Sequence, residues 1–393
     1  MTITVDRKEL SRALTVAKRT LGKGETFPVP RCVRLDVTRE GELVLESTDL
    51  EHATRILVKG STASATDAVE PILVPHNRLA AIVRGMKGSE VELEWQAKEV
   101  CTRIGRDCQL RIECGLAKVD VDAEPLESFP DIDWSVFKGD VTVGLDHFTF
   151  TTDRLAAMLR ETTYAASRDE TRYNLGGVFI DSRDERLSFV ATDGHRLAIA
   201  ESEHWRGNGW NGIGQIVPLV AAQALEALVS AKHPIGPTVH AVATGRSVCF
   251  RIGTVAIQSK TIDGTYPNYR QAIPESGKAT CVVRVSLDTL ADAVSTVDTG
   301  DKEAPFVLLS FDMDSIVVSS KAGKCIVPTL GNTPDSGPIS FNGRYLQQLC
   351  ASFAGSHVNR YAECRMEWSD SLSAVVFRPD DSSSFAVLMP VRQ

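Results

Sequence analysis

The feature that most constrains the fold of this chain is a segment that the sequence contains twice. Residues 187–198 hold an alternating apolar stretch, the dipeptide Asp193-Gly194 and a second apolar stretch. Short alternating stretches on both sides of an Asp-Gly dipeptide predict a β-hairpin. A weaker copy in residues 43–50 enters the same Thr-Asp pair 144 residues earlier. A motif that recurs at the spacing of a domain indicates a repeated architecture.

The order strands, helix, strands, helix, strands can be followed three times along the chain. Apolar residues at helical spacing predict two helices in each repeat, and the stretches around them alternate as strands do. Two helices that cover one face of antiparallel sheet make an α+β unit. The predicted helices span residues 7–21, 77–86, 153–164, 221–229, a stretch that includes Leu290, Val294 and Val297, and 343–353. The predicted domains are residues 1–138, 139–275 and 276–393.

Basic side chains stand opposite the apolar face of the first predicted helix. At about 100° per residue, Leu10 and Leu14 share one face, and Lys8, Arg12 and Arg19 lie on the other. The net charge of −8 argues against a protein that coats DNA with its whole surface. A single basic face can nevertheless meet phosphates, in a salt-sensitive contact that reads no bases.

Three similar units in one chain constrain how the chain assembles. Repeated units with like ends either propagate as a filament or close into a ring. Ring closure covers the exposed sheet edges at the two ends. With the basic helix faces turned inwards, such a ring would surround a polyanion.

The sequence lacks the signals of several other classes of protein. It contains no phosphate-binding P-loop, no cluster with metal-ligand spacing, no signal peptide and no apolar run of membrane-spanning length. We therefore expect a cytoplasmic protein that uses no cofactor or metal and binds no membrane. A hydrolase that uses Asp193 and His195 is a remote alternative, although no nucleophile motif accompanies this pair.

Three segments give the sequence a family resemblance that covers nearly the whole chain. Residues 191–198, 263–270 and 387–392 together resemble the bacterial DNA sliding clamps, the β subunits of DNA polymerase III. The resemblance implies a head-to-tail homodimeric ring of six similar domains around double-stranded DNA, without enzyme activity. It also implies a clamp loader as a partner, together with replicative polymerases and other proteins that bind through short peptides with hydrophobic anchors.

The resemblance places a peptide-binding pocket between the second and third domains. Apolar side chains would form its floor, and arginines and backbone amides would hold polar parts of the peptide. The implied pocket residues are Leu175, Thr192, Gly194, His195, Arg196, Leu197, Pro267, Asn342, Tyr345, Val387, Met389, Pro390, Val391 and Arg392. The DNA-contacting residues expected from the helix charges and from the loop at 172–174 are Lys8, Arg12, Arg19, Lys23, Arg84, Lys87, Arg160, Arg168, Arg172 and Tyr173.

Two departures from the family pattern occur in the third repeat. Asp288 and Asp292 occupy the offsets of Lys8 and Arg12, so the third repeat would contact DNA more weakly. Residues 297–298 replace apolar residues that the resemblance expects at the ring interface. The departures leave open a second interpretation, a divergent copy of the clamp specialised for repair, plasmid replication or tolerance of an inhibitor.

Overall fold

The computed structural model divides the chain into two compact units. It describes residues 2–22, 31–63, 70–95, 108–135, 147–182, 186–202, 206–207, 214–231, 235–275, 277–297, 306–334, 336–354, 363–380 and 382–392. Unit 1 comprises residues 1–152, 206–208 and 227–260, and unit 2 comprises residues 153–205, 209–226 and 261–393. Each unit combines strands from more than one predicted segment, and the division into three domains stays a prediction.

Strands and helices alternate in the order that the sequence predicts. The first segment contains β1 (Thr2–Asp6), α1 (Arg7–Ala17), β2 (Cys32–Val37), β3 (Leu43–Thr48), β4 (His52–Leu57), β5 (Thr62–Ala63), β6 (Ile72–Pro75), α2 (His76–Gly85), β7 (Glu90–Glu94), β8 (Gln109–Cys114) and β9 (Ala117–Asp122). The second contains β10 (His147–Thr151), α3 (Thr152–Thr162), β11 (Gly177–Asp181), β12 (Leu187–Thr192), β13 (Arg196–Ser202), β14 (Arg206–Gly207), β15 (Gln215–Pro218), α4 (Leu219–Val229), β16 (Thr238–Thr244), β17 (Ser247–Ile252) and β18 (Val255–Lys260). The third contains β19 (Cys281–Ser286), α5 (Leu287–Thr296), β20 (Phe306–Asp312), β21 (Ser315–Ser320), β22 (Gly323–Pro328), β23 (Ile339–Asn342), α6 (Gly343–Ala354), β24 (Glu363–Trp368), β25 (Val375–Pro379) and β26 (Phe385–Leu388).

Unit 1 contains two antiparallel sheets. The first has the order β5-β1-β7-β8-β9, and the second has the order β14-β10-β16-β17-β18-β4-β3-β2-β6. Pairing of β4 with β18, with Ile56 opposite Val255, joins the first predicted segment to the second. The Asp6 carboxylate caps α1 by accepting hydrogen bonds from the amides of Lys8 and Glu9, at 2.8 and 3.0 Å.

Unit 2 repeats this plan with an eight-stranded and a four-stranded sheet. Their orders are β15-β11-β12-β13-β26-β25-β24-β19 and β22-β21-β20-β23. Pairing of β13 with β26, with Leu197 opposite Val387, joins the second predicted segment to the third. Leu290 of α5 and Leu346 of α6 are fully buried in the core of this unit with Phe341. No helix in the described part of the chain is long and apolar enough to cross a bilayer.

Three elements differ from their predicted form. Strand β12 is buried along nearly its whole length rather than half-buried, because apolar clusters around Val190 and around Ala191 cover its two faces. The first helix ends at Ala17 and continues only as a 3-10 turn to Thr20. The apolar residues at 385–390 predict a last strand of that extent, but β26 ends at Leu388, because the Met389 amide donates to the His195 carbonyl in the β12–β13 loop.

The tips of the β3–β4 and β12–β13 hairpins have the same hydrogen bonds. The hydroxyls of Thr48 and Thr192 each donate to the carbonyl four residues later, at 2.8 and 2.6 Å. The Oδ1 atoms of Asp49 and Asp193 each accept from the amides two and three residues later. The two Thr-Asp segments are therefore structural copies.

The residue after each aspartate has a positive φ. Gly194 has φ of +89°, and Leu50 has φ of +80° at the matching position. L-residues avoid this left-handed region, whereas glycine enters it without a steric cost. The turn geometry thus explains the Asp-Gly dipeptide in the second hairpin and implies strain in the first.

Candidate functional site

A cavity of about 340 Å³ opens beside the tip of the β12–β13 hairpin, within unit 2. Strands β13 and β26 and residues 267–272 contribute to its wall. Nine of the fourteen predicted pocket residues line it, namely Leu175, Thr192, Gly194, His195, Arg196, Leu197, Pro267, Val387 and Met389. A concave, mostly apolar cavity of this size fits a short segment of extended peptide carrying one or two apolar side chains.

The floor of the cavity is part of the core and its rim is exposed. Leu175, Leu197 and Val387 are buried in one cluster with Tyr266. At the rim, Met389 is 43% exposed. A firm apolar floor beside a flexible methionine suits side chains of differing shape.

Three lining residues were missed by the sequence interpretation: Asn268, Tyr269 and Ala272. They belong to a 3-10 turn and its N-cap. The Tyr269 hydroxyl of this turn donates to the Asp181 carboxylate, at the end of β11, at 3.0 Å. Burial raises the pKa of Tyr269. Asn268 and Tyr269 lie inside the family-like segment 263–270, but local sequence does not indicate which side chains face the cavity.

Five predicted pocket residues do not line this cavity: Asn342, Tyr345, Pro390, Val391 and Arg392. Asn342 precedes α6, and its Oδ1 accepts a hydrogen bond from the Tyr345 amide at 3.2 Å. The amide of Val391 donates to the Ser340 carbonyl at 2.8 Å, so Val391 lies beside β23. Contact of these five residues with a peptide stays a prediction.

Arg196 is engaged by other residues of the chain. Its Nε donates to Asp193 Oδ2 at 2.9 Å, and an amino group donates to Gln348 Oε1 at 2.5 Å. Its guanidinium carbon lies 4.2 Å from the ring centre of Tyr345 and 5.3 Å from that of Tyr164. Burial, followed by the Asp193 carboxylate, raises the pKa of Tyr345. Arg196 therefore connects the hairpin tip to α6, and a role in holding acidic parts of a peptide stays a prediction.

The carboxylate of Asp193 is occupied by the turn that it belongs to. Oδ1 accepts from the amides of His195 and Arg196, and Oδ2 accepts from the Arg196 side chain. A carboxylate held in this way does not orient the imidazole of His195, so the geometry does not support the hydrolase alternative. Among the residues that the structure describes, no group of three His, Cys, Asp or Glu side chains could hold a metal ion.

The predicted DNA-contacting residues of unit 1 are exposed on two neighbouring helices and their ends. Lys8 and Arg12 lie on α1 and Arg19 on the 3-10 turn that follows it, while Arg84 lies on α2 and Lys87 just beyond it. Lys23 falls outside the described residues.

Of the four corresponding residues of unit 2, two arginines are hydrogen-bonded within the chain and the other two residues are exposed. The Nε of Arg160 donates to the Ser352 carbonyl at 3.1 Å. Arg172 donates to Asp169 at 3.0 Å and to the Asp193 carbonyl at 2.7 Å, so it supports the hairpin tip. Hydrogen bonds from Thr171 lower the pKa of Asp169, with a further contribution from Arg172. Arg168 is exposed, and Tyr173 is 60% exposed.

The first hairpin has a different environment in unit 1. By strand pairing, Ala53 and Ala256 take the places of Leu197 and Phe385. The indole of Trp134 packs against both alanines. A bulky side chain of the chain itself thus covers the surface at the first hairpin.

Next to this indole the sheet face carries charged residues. Glu46 is fully buried and accepts hydrogen bonds from Arg34, at 2.7 Å, and from Arg55. These residues line a second cavity, of about 690 Å³. Val190 takes the place of Glu46 in unit 2, which explains why only one of the two surfaces is apolar.

The fold and the cavity can now be compared with known proteins. A family model for the central domain of the DNA polymerase III beta subunit matches residues 149–268. The beta sliding clamp of Caulobacter vibrioides is 30% identical over 407 aligned positions that cover 100% of both chains. The solved sliding clamps of C. crescentus and Bartonella birtlesii are each 27% identical to this chain and have TM-scores of 0.82 and 0.81. Both matches cover 100% of this chain, and they cover 99% of the C. crescentus chain and 100% of the B. birtlesii chain.

The antiparallel sheets and the six α-helices of the described residues, together with the solved structures, define an α+β protein of the DNA-clamp class. The chain belongs to the bacterial beta sliding clamps, the beta subunits of DNA polymerase III. Members of this family act in DNA replication as non-catalytic processivity factors, and so does this chain. The hydrolase alternative is therefore wrong.

Proposed function

We propose that this clamp holds DNA polymerases through the cavity beside the β12–β13 hairpin, in a ring of two chains closed around duplex DNA. The observation that carries the peptide-binding part is the cavity itself, with its buried apolar floor and exposed Met389. The C. crescentus clamp was solved with polyethylene glycol bound to a proposed beta-motif tethering region, and the B. birtlesii clamp was solved bound to griselimycin. These relatives support a ligand-binding surface in the family.

Unused sheet edges support the ring. In two places the second strand of a hairpin pairs with the last strand of the following repeat, β4 with β18 and β13 with β26. The strand that remains in the third repeat is β22, and the one in the first repeat is β9. Each is an edge strand of its sheet. Antiparallel pairing of β22 with β9 of a second copy would complete the series head to tail and cover both edges.

In this proposal the chain comprises three domains, residues 1–138, 139–275 and 276–393, and six domains surround the DNA. The ring holds DNA by enclosing it, so its contacts with phosphates are weak and independent of sequence. A clamp loader opens the ring, because a closed ring cannot pass over a circular duplex. The partners are replicative and repair polymerases with short apolar peptides, all in the cytoplasm.

Exchange of one methionine tests the peptide site. Met389→Ala should lower the affinity for a fluorescent peptide with hydrophobic anchors about tenfold, or by ~1.4 kcal/mol, because it removes the adaptable side chain at the rim of the cavity. The matched control is Met313→Ala, which alters a methionine that is 80% exposed elsewhere in unit 2.

Removal of residues 389–393 should abolish peptide binding and leave the dimer intact. Unchanged affinity after that removal would place the peptide site elsewhere.

A specialised second copy of the clamp is the alternative that the acidic residues of α5 favour. Asp288 is half-buried and Asp292 exposed at positions where α1 carries Lys8 and Arg12. Depletion of the protein in its host separates the two functions. A replicative clamp is needed for fork progression, whereas loss of a specialised copy leaves replication running.

A further inference from the structure

We infer that helical contact with DNA is confined to α1 and α2, and that the other four helices supply no phosphate contacts. This inference rests on the proposed encirclement of DNA and specifies which part of the chain meets it. The α1–α2 face is defined here by seven exposed basic side chains: Lys8, Arg12, Lys18, Arg19, Arg78, Arg84 and Lys87.

The charge of this face is opposite to that of the whole chain. Residues 7–20 and 76–87 contain eight lysines and arginines and a single acidic residue, Glu9, while the net charge of the protein is −8. The remainder of the chain is therefore more acidic than the total. Such a separation of charge directs a polyanion to one surface and keeps it from the rest.

Five of the seven basic groups of this face have no acidic partner among the described residues. Lys8, Lys18, Arg19, Arg84 and Lys87 form no ion pair with any residue that the structure describes. Clustered like charges repel each other, and an external anion relieves this repulsion. Phosphates of a duplex supply that anion at a regular spacing.

The two helices hold these groups on one rigid support. The Nε2 atom of His76, at the start of α2, lies 2.8 Å from the Leu14 carbonyl of α1. Leu14, Leu79 and Val83 are buried on the inner side of the pair. The outer side is therefore fixed as a single surface rather than as two independent helices.

The helices of the other repeats lack a comparable face. The two arginines of α3 are bonded to main-chain carbonyls, Arg154 to Glu201 and Arg160 to Ser352. Helix α4 contains no basic residue, and its Val220 is 52% exposed.

The third repeat is acidic where the first is basic. Asp288 and Asp292 are the charged residues of α5, and burial together with Asp292 raises the pKa of Asp288. Helix α6 carries one basic residue, Arg344, which is exposed. A phosphate near α5 would meet repulsion rather than a partner.

The salt dependence of DNA binding tests the inference with a matched pair of arginines. Arg84 and Arg344 are both exposed and each lies on the second helix of its repeat. Binding of the full-length protein to a short linear duplex of mixed sequence would be measured by fluorescence anisotropy between about 50 and 200 mM KCl. Each lost phosphate contact lowers the slope of log K against log[salt] by about 0.9.

We expect Arg84→Gln to lower the slope by about 0.9, and the pair Lys8→Gln with Arg84→Gln to lower it by about 1.8. Arg344→Gln should leave both the slope and the affinity at the wild-type values. An equal loss of slope in Arg344→Gln would overturn the inference and leave encirclement standing. Absence of wild-type retention on nicked circular DNA in the presence of a loader would instead refute encirclement itself, and the inference with it.

Discussion

Leu50 and Gly194 show how one backbone geometry places different demands on two residues. Both lie after the aspartate of a copied turn and both have a positive φ. Glycine adopts this conformation without strain, whereas a leucine there carries a cost of about 1–2 kcal/mol. The same turn is therefore relaxed beside the cavity and strained in the first hairpin.

Exchange of these residues should give effects of opposite sign. Gly194→Ala should lower the free energy of unfolding by about 1–2 kcal/mol, because the new Cβ has an unfavourable φ and lies 3.1 Å from an amino nitrogen of Arg172. Leu50→Gly relieves the same strain and should raise the free energy of unfolding. The greater flexibility of glycine in the unfolded chain subtracts about 0.5–1 kcal/mol from this gain. Leu50 is 49% exposed, so little apolar burial is lost. Denaturant unfolding of both variants measures the two changes in the free energy of unfolding. An equal loss of stability in the two variants would contradict the expected difference in sign.

The hairpin tip, the 3-10 turn at 269–272 and helix α6 together form the surroundings of the cavity. Arg196 joins the first and last of them through Asp193 and Gln348. The side chains of Arg196 and Asp193 are 9% and 10% exposed, so water competes little for this pair. The shape of the cavity wall thus depends on a side chain whose donors point away from solvent.

Replacement of Arg196 by lysine should open this connection while the charge is kept. A lysine has a single ammonium group and cannot reproduce the two directed bonds or the stacking on Tyr345. We expect a drop in peptide affinity of at least about tenfold, or ~1.4 kcal/mol, in a titration with labelled peptide. Arg186→Lys is the control, because the Arg186–Glu201 ion pair has a 57% exposed arginine and contributes about 0–1 kcal/mol. Equal affinities in the two variants would show that the Arg196 connection does not shape the site.

The helices and the copied hairpin were predictable because local periodicity and turn chemistry determine them. Sequence also pointed to Leu175, Leu197 and Val387 through the family resemblance. It did not show that α6 would engage Arg196 through Gln348, 152 residues away, because local patterns contain no information about such partners. For the same reason, the hydrogen bond from Arg160 to the distant Ser352 carbonyl was not foreseen.

β22 and β9 are both edge strands of their sheets. β22 and β9 share an alternation in which one residue near the end of the strand is buried and its neighbours are exposed. On β22, Ile326 is 63% exposed. An edge strand with an exposed isoleucine is prone to pair with another chain.

A charge on this edge should therefore separate the two copies. Ile326→Lys places an ammonium group where the proposed β22–β9 interface requires an apolar contact, and we expect the dimer to dissociate to monomers in sedimentation equilibrium. Leu372→Lys serves as the control, since Leu372 is 56% exposed on the turn between β24 and β25, which belong to the other sheet of the same unit. A dimer that persists in Ile326→Lys would exclude this edge from the interface.

The indole of Trp134 determines how many clients one chain can carry. A groove left open at the first hairpin as well as at the β12–β13 hairpin would make every protomer bivalent. Because Trp134 packs on Ala53 and Ala256 at the first hairpin, we expect the proposed function to have a stoichiometry of one peptide per chain. In the proposed ring of two chains, we then expect only two polymerases or repair proteins to dock at a time, so that a third waits for a vacancy.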